Sequence, residues 1–189
     1  MRDGEASRRR LLDAAAAEFA QHGIAGARVD RIAAASGVNK QQMYSWHGSK
    51  DGLFDAVFDD QLRHIVDAVP FDADDLPGYA VRLYDSYLRE PELVRLTSWN
   101  RLEKVPTGDV LRGHRHLAQP KLDAIAAAQA AGRVVADLRP DEVYSVVIAL
   151  AGTWSPVSGT FTASADDDEA DHARRREALR LTVRRALLP

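Results

Sequence analysis

Apolar residues recur at three- and four-residue spacing along most of this chain, in blocks separated by glycine and proline, and that period dictates helices. Leu11, Leu12, Ala15, Ala16 and Phe19 form the first stripe, with Ser7 as a candidate N-cap and Gly23 at its end. Val29, Ile32 and Ala33 form a short second stripe that stops at Gly37, and Asn39 is placed to cap a third helix carrying Met43 and Tyr44. Gly48 breaks the chain again. From Ser49 runs the strongest stripe, Leu53, Phe54, Val57, Phe58, Leu62, Ile65 and Val66, closed by Pro70. Beyond the acidic connector FDADDLP, helices are expected over 77–90, 91–104, 118–132, 140–154 and 168–187. Pro77, Pro91, Pro120 and Pro140 fall near their starts, where a missing N–H costs little. Segments 105–115 and 155–171 read as loops. No segment sustains two-residue alternation over several strands, so the expected fold class is all-α.

Charge divides the chain. Residues 1–50 hold eight Lys and Arg against five Asp and Glu, a balance of +3; the other 139 hold seventeen against twenty-three, a balance of −6. A basic first quarter on an acidic body is the asymmetry expected when one end alone meets phosphates. These charges are interleaved with apolar periodicity, so they sit on folded structure. The expected domains are 1–50, with a flexible basic N-terminus over 1–6, and 51–189. No apolar run approaches the ~20 residues of a membrane span, and MRDGEASRRR lacks the apolar stretch of a signal peptide, so no membrane partner is expected. With no cysteine there is no disulfide framework and no thiolate metal site. The expectation is a soluble, cytoplasmic protein.

The segment VDRIAAASGVNKQQMYSWHGSKDGLF (29–54) carries the chemistry. A helix-turn-helix needs a short first helix, a tight turn, and a second helix with one buried and one bare face. Ile32, Ala33, Val38 and Met43 supply a small shared core, and Gly37 supplies the turn if its φ is positive. The bare face of the second helix shows Lys40, Gln41, Gln42 and Ser45, which can donate and accept at base edges or phosphates.

This stretch resembles the DNA-binding region of the tetracycline-repressor (TetR) family. That region has a helix like SRRRLLDAAAAEFAQHG, continues through VDRIAAASGVNK, and ends in Tyr-x-x-x-x-Ser-Lys followed by Leu-Phe. Tyr44, Ser49, Lys50, Leu53 and Phe54 stand at those places, and the resemblance covers about residues 7–58. Three positions depart from the pattern. Arg28 stands where Thr or Ser caps the second helix and touches a phosphate; it can reach a phosphate but cannot cap, which leaves the cap to a neighbouring group. His47, preceded by Trp46, stands where Phe is usual, and Gly48 where Pro is common. Trp46 either fills the core space of that Phe or lies against the DNA backbone.

The resemblance implies an N-terminal three-helix DNA-binding domain and a C-terminal helical domain that binds a ligand and dimerises. The expected DNA-binding set is Arg28, Asn39, Lys40, Gln41, Gln42, Tyr44, Ser45, Trp46 and Lys50. Tyr44 and Lys50 are implied phosphate contacts, although Tyr44 also reads as a core aromatic with its hydroxyl exposed. The implied function is a regulator, in the first instance a repressor, controlled by a small-molecule effector on a palindromic double-stranded operator. The middle helices are rich in aromatics, which points to Tyr84, Tyr87, Leu96, Trp99 and Trp154 as an effector pocket. The last two helices of the family pair with their two-fold mates. Val143, Val147, Leu150, Leu179, Val183 and Leu187 are the expected homodimer interface.

Rival classes are weaker. There is no His-Glu-x-x-His, phosphate-binding glycine loop or Gly-x-Ser-x-Gly elbow, so no catalytic residues and no cofactor are expected. His114 and His116 have the only metal-like spacing, and two histidines without a third ligand nearby read as solvated loop residues. The acidic run Asp166–Glu169 suits a helix N-terminus. A helical scaffold without DNA affinity is the other alternative, and the bare polar face of the third helix counts against it.

Overall fold

The structure, a computed structural model, describes residues 2–108 and 115–189, with side chains described outside 2–3, 63–68 and 115. The described residues form α1 (Arg2–Gly26), α2 (Val29–Ser36), α3 (Lys40–His47), α4 (Lys50–Ala68), α5 (Leu76–Arg89), α6 (Pro91–Glu103), α7 (Arg115–Ala130), α8 (Pro140–Ala151) and α9 (Glu169–Leu187). A 3₁₀ turn, Gly152–Trp154, extends α8, and no strand occurs among them. None of these helices is long and apolar enough to cross a membrane.

Two starts lie earlier than the periodicity implies. α1 is helical from Arg2, so 2–6 belong to the helix, and Ser7 is not its cap: its hydroxyl accepts from Arg10 at 3.0 Å. α7 starts at Arg115, which places Pro120 inside the helix. His114 lies outside the described residues, while His116 is exposed on the first turn of α7.

The chain forms two compact units, Met1–Ile65 with Glu92–Val110, and Val66–Pro91 with Leu111–Pro189. The expected boundary at residue 50 is therefore displaced. Leu53, Phe54 and Val57 of α4 are fully buried, and α6 returns to the first unit to close on α1. Phe54 is the aromatic centre of this unit, edge-on to Phe19 with centroids 5.2 Å apart and stacked on Phe58 at 6.1 Å. Leu11, Ala15, Ile32 and Met43 are buried without exposure, and Leu96 of α6 is 1% exposed. At the end of α1, Gly23 takes φ 71° and ψ 178°, which a Cβ disfavours. The Trp99 ring and the Glu103 carboxylate crowd the place a Cβ would take, and Glu103 accepts from Ile24 N at 2.9 Å and Ala25 N at 2.8 Å. A carboxylate thus satisfies amides freed by the kink.

The second unit is built round α5. Leu76, Tyr79, Ala80 and Leu83 join Ile125 and Ala128 of α7, Val143, Val147 and Ala151 of α8, and Val183 and Leu187 of α9 in one core. α5 is started by Asp75, whose side chain accepts from Gly78 N at 2.9 Å. This core corrects the expected dimer set. Val143, Val147, Val183 and Leu187 are 0% exposed and Leu179 2% exposed within a single chain, so none is left to meet a partner. Leu150 is half-buried against the same core. A stripe at helical spacing reports burial, and here the chain's own α5 supplies it.

Candidate nucleic-acid interface

The first unit holds α2 and α3 as a helix-turn-helix. Gly37 ends α2 with φ 68°, the left-handed conformation that the turn requires, and its N–H bonds to Ala33 O at 3.0 Å. Asn39 then starts α3, its side-chain oxygen accepting from Gln42 N at 2.8 Å. Met43 is buried without exposure, which fixes the rotation of α3 and turns Gln41, Tyr44 and Ser45 outward; Gln42 is half-buried. Lys40 is exposed and paired with Asp30 of α2.

The cap missing at Arg28 is replaced across the sequence. Glu18 of α1 accepts from Arg28 N at 2.8 Å and from Arg31 Nε at 2.8 Å, so one carboxylate holds both the start of α2 and its first turn. Arg31 and Arg28 hold the Glu18 carboxyl below the ordinary carboxylate range through these hydrogen bonds. The Arg28 guanidinium stays exposed and available to a phosphate.

At the other end of α3, the Arg8 guanidinium lies 5.1 Å from the centre of the half-buried Trp46 ring. Burial, and after it the Arg8 charge, pushes His47 below the ordinary histidine value. A neutral imidazole therefore occupies the place of the family's Phe, with Nε2 buried and without a hydrogen-bond partner among the described residues.

Lys50 is tied into the first unit at the start of α4. Its ammonium donates to Ala25 O at 3.1 Å and Ala27 O at 3.2 Å, fastening the start of α4 to the α1–α2 connection. Two of its three donors are engaged with these carbonyls. The signals that sequence reading missed here, Glu18, Arg8 and Glu103, act across gaps of ten residues or more and leave no local pattern.

The interface thus offers one outward helix of amides, hydroxyls and a phenol, flanked by arginines, with no cluster of metal-ligating side chains among the described residues. Two family models match the chain. The description "Bacterial regulatory proteins, tetR family" fits residues 11–57, and "Tetracyclin repressor-like, C-terminal domain" fits residues 75–185. The chain belongs to the TetR family. Its members are transcriptional regulators, not enzymes; they bind DNA operators, usually as dimers and with small-molecule ligands. Among relatives, the HTH-type transcriptional repressor SCO4008 of Streptomyces coelicolor is 47% identical over 102 residues, 54% of this chain and 53% of that protein. The match spans about half the length of that curated relative. The crystal structure of the transcriptional regulator SCO4942, also from Streptomyces coelicolor, is similar over 96% of this chain and 98% of its own, with 32% identity and a TM-score of 0.78. A TetR family regulator from Marinobacter aquaeolei shares the fold over 100% of this chain and 99% of its own, at 21% identity and a TM-score of 0.74.

The expected effector residues divide between the two units. Tyr84, Tyr87 and Trp154 line one cavity of the second unit. Leu96 and Trp99 belong to the first unit, where Trp99 Nε1 donates to Ala20 O at 3.3 Å and its ring closes on Gly23. Trp99 is a fastener of α1, and the aromatic set in the cavity is correspondingly smaller.

Proposed function

We propose that this TetR-family chain is a transcriptional repressor that binds a two-fold symmetric operator as a homodimer and is released by a small-molecule effector held in its second unit. The observation that carries the reading is α3: buried Met43 anchors one face while Gln41, Tyr44 and Ser45 stand outward beyond a glycine turn, with Gln42 half-buried beside them. Gln presents a carbonyl and an amide together, matching the N6 and N7 edge of adenine in the major groove. Gln41 and Gln42 read bases in this account, with Ser45 further along the helix. Arg28 and Tyr44 contact phosphate, and Asn39, Trp46 and Lys50 hold the helix in place. Lys40 exchanges Asp30 for the DNA backbone.

The test separates base reading from fold. Gln42→Ala is expected to cost roughly 1–3 kcal/mol on the operator and little on random DNA. Arg28→Ala weakens both by similar factors and lowers the salt slope by about one ion. Filter or fluorescence titrations at two salt concentrations read both effects. Equal loss on operator and random DNA from Gln42→Ala would remove the base-reading assignment, and no binding at low salt would favour a scaffold without DNA affinity.

The dimer must use surface that the single chain leaves open. On α9, Leu181 is 41% exposed and is flanked by exposed Ala178, Thr182 and Arg185 at helical spacing. With Ile148 and Ala149 of α8 these replace the buried stripe as the pairing face. Light scattering is expected to show a dimer at micromolar concentration for the native chain and a monomer for Leu181→Glu. A native monomer, or a Leu181→Glu dimer, contradicts this face.

A further inference from the structure

The second unit has a partly open cavity of about 210 Å³ between α5, the 3₁₀ turn and the segment that leads to α9. Tyr84, Tyr87, Leu88, Pro91 and Trp154 supply most of its apolar wall, and residues of the segment 155–165, Ser155 and Ser164 among them, supply the rest. Tyr84 and Trp154 meet edge to face, with centroids 5.9 Å apart and planes at 81°. No charged residue lines the space.

The wall's hydroxyls differ in one respect. Tyr84 is already engaged, its hydroxyl 2.7 Å from Nδ1 of buried His172. Ser155 lines the cavity and is 5% exposed; its buried Oγ has no hydrogen-bond partner among the described residues, so a turn about χ1 that brings it to a ligand breaks no bond. A buried hydroxyl left unsatisfied costs free energy that a hydrogen-bonding ligand recovers. The outer wall is held in place. Arg175 pairs with Asp167 at 2.7 Å, Asp167 accepts from Ser164 N at 3.3 Å, Ala163 N bonds to Trp154 O at 2.9 Å, and the Arg175 guanidinium lies 5.2 Å from the Phe161 ring centre. Arg175, which also hydrogen-bonds the Tyr84 hydroxyl, is thus matched by Asp167, and an unpaired ion placed in the cavity would have no free counter-charge.

We infer that this cavity is a binding site for a small, flat, uncharged aromatic molecule with one hydrogen-bonding group, whose rings pack against Tyr84, Tyr87 and Trp154 and whose polar group meets Ser155 Oγ. At interior packing density the space holds roughly a dozen heavy atoms, the size of a two-ring compound. The inference deepens the proposed effector role of the second unit and rests on it only for the consequence to DNA binding.

Equilibrium dialysis of the full chain against four probes tests it: 2-naphthol, naphthalene, 2-naphthoate and 2-naphthylmethylammonium. 2-Naphthol is expected to bind with a Kd at or below about 100 μM, and naphthalene about tenfold more weakly. The anion and the cation bind at least about tenfold more weakly than 2-naphthol. Ser155→Ala brings 2-naphthol to the naphthalene value and leaves naphthalene within about twofold, which also shows that the variant is folded. Ala163→Leu, which fills the space, removes both. Failure of 2-naphthol to bind, equal or tighter binding of either ion, or a naphthol preference that survives Ser155→Ala overturns the site. If all four probes behave as expected while operator affinity is unchanged at saturating 2-naphthol, the site stands and the effector reading fails.

Discussion

Replacing Phe54 with alanine is expected to lower the unfolding free energy by about 3–5 kcal/mol and to remove DNA binding with it. The side chain has no exposure, it packs edge-on to Phe19 and stacks on Phe58, and the Lys104 ammonium lies 5.5 Å from its ring centre. Removing it opens a cavity under α1 and α4, lined by rings that cannot collapse into it. Chemical denaturation measures the loss. Phe54→Leu keeps most of the volume and should recover more than half of it. A cost below about 1 kcal/mol for alanine would mean that this aromatic trio does not hold the first unit together.

Gly23→Ala is expected to cost roughly 2–4 kcal/mol, from a backbone conformation reserved for glycine and from collision with its neighbours. A Cβ there would lie 2.8 Å from Glu103 Oε1 and 3.0 Å from Trp99 Cε3. Relief requires α6 to give way, and the Glu103 bonds to Ile24 N and Ala25 N are lost with it. Gly26→Ala, three residues on, is the control. Its Cβ would meet only His22 Cβ at an ordinary 3.5 Å, and the thermal midpoint should hardly move. Equal effects at the two glycines would contradict the account of the kink.

These two sites mark where the sequence was legible and where it was not. The turn at Gly37, the cap at Asn39 and the buried face through Ile32 and Met43 are local signals, set within a few residues, and the structure has them where the periodicity puts them. Contacts that join distant segments left no such trace. Glu18 stands in for the cap absent at Arg28, and Trp99 and Glu103 close on α1 from nearly eighty residues away. Helical stripes reported burial correctly on α8 and α9 but not the surface doing the burying. Val143, Val147 and Val183 therefore belong to the chain's own core, while solvent-facing Leu181, on a helix of high charge, was passed over. Ser155 is another such case. A serine in a loop is unremarkable in sequence, and only the fold shows its hydroxyl buried without a partner in a residue that lines the aromatic cavity.

The measurement that bears most directly on the repressor account is selection of genomic fragments by the purified chain at about 150 mM salt, where phosphate contacts alone bind weakly. The account predicts that recovered fragments share a two-fold symmetric motif, with half-site centres one helical turn apart (about 34–36 Å) or a multiple of it, and that Gln42→Ala loses this enrichment while staying folded. Recovery of fragments without a common motif, or of the same motif undiminished by Gln42→Ala, would contradict it.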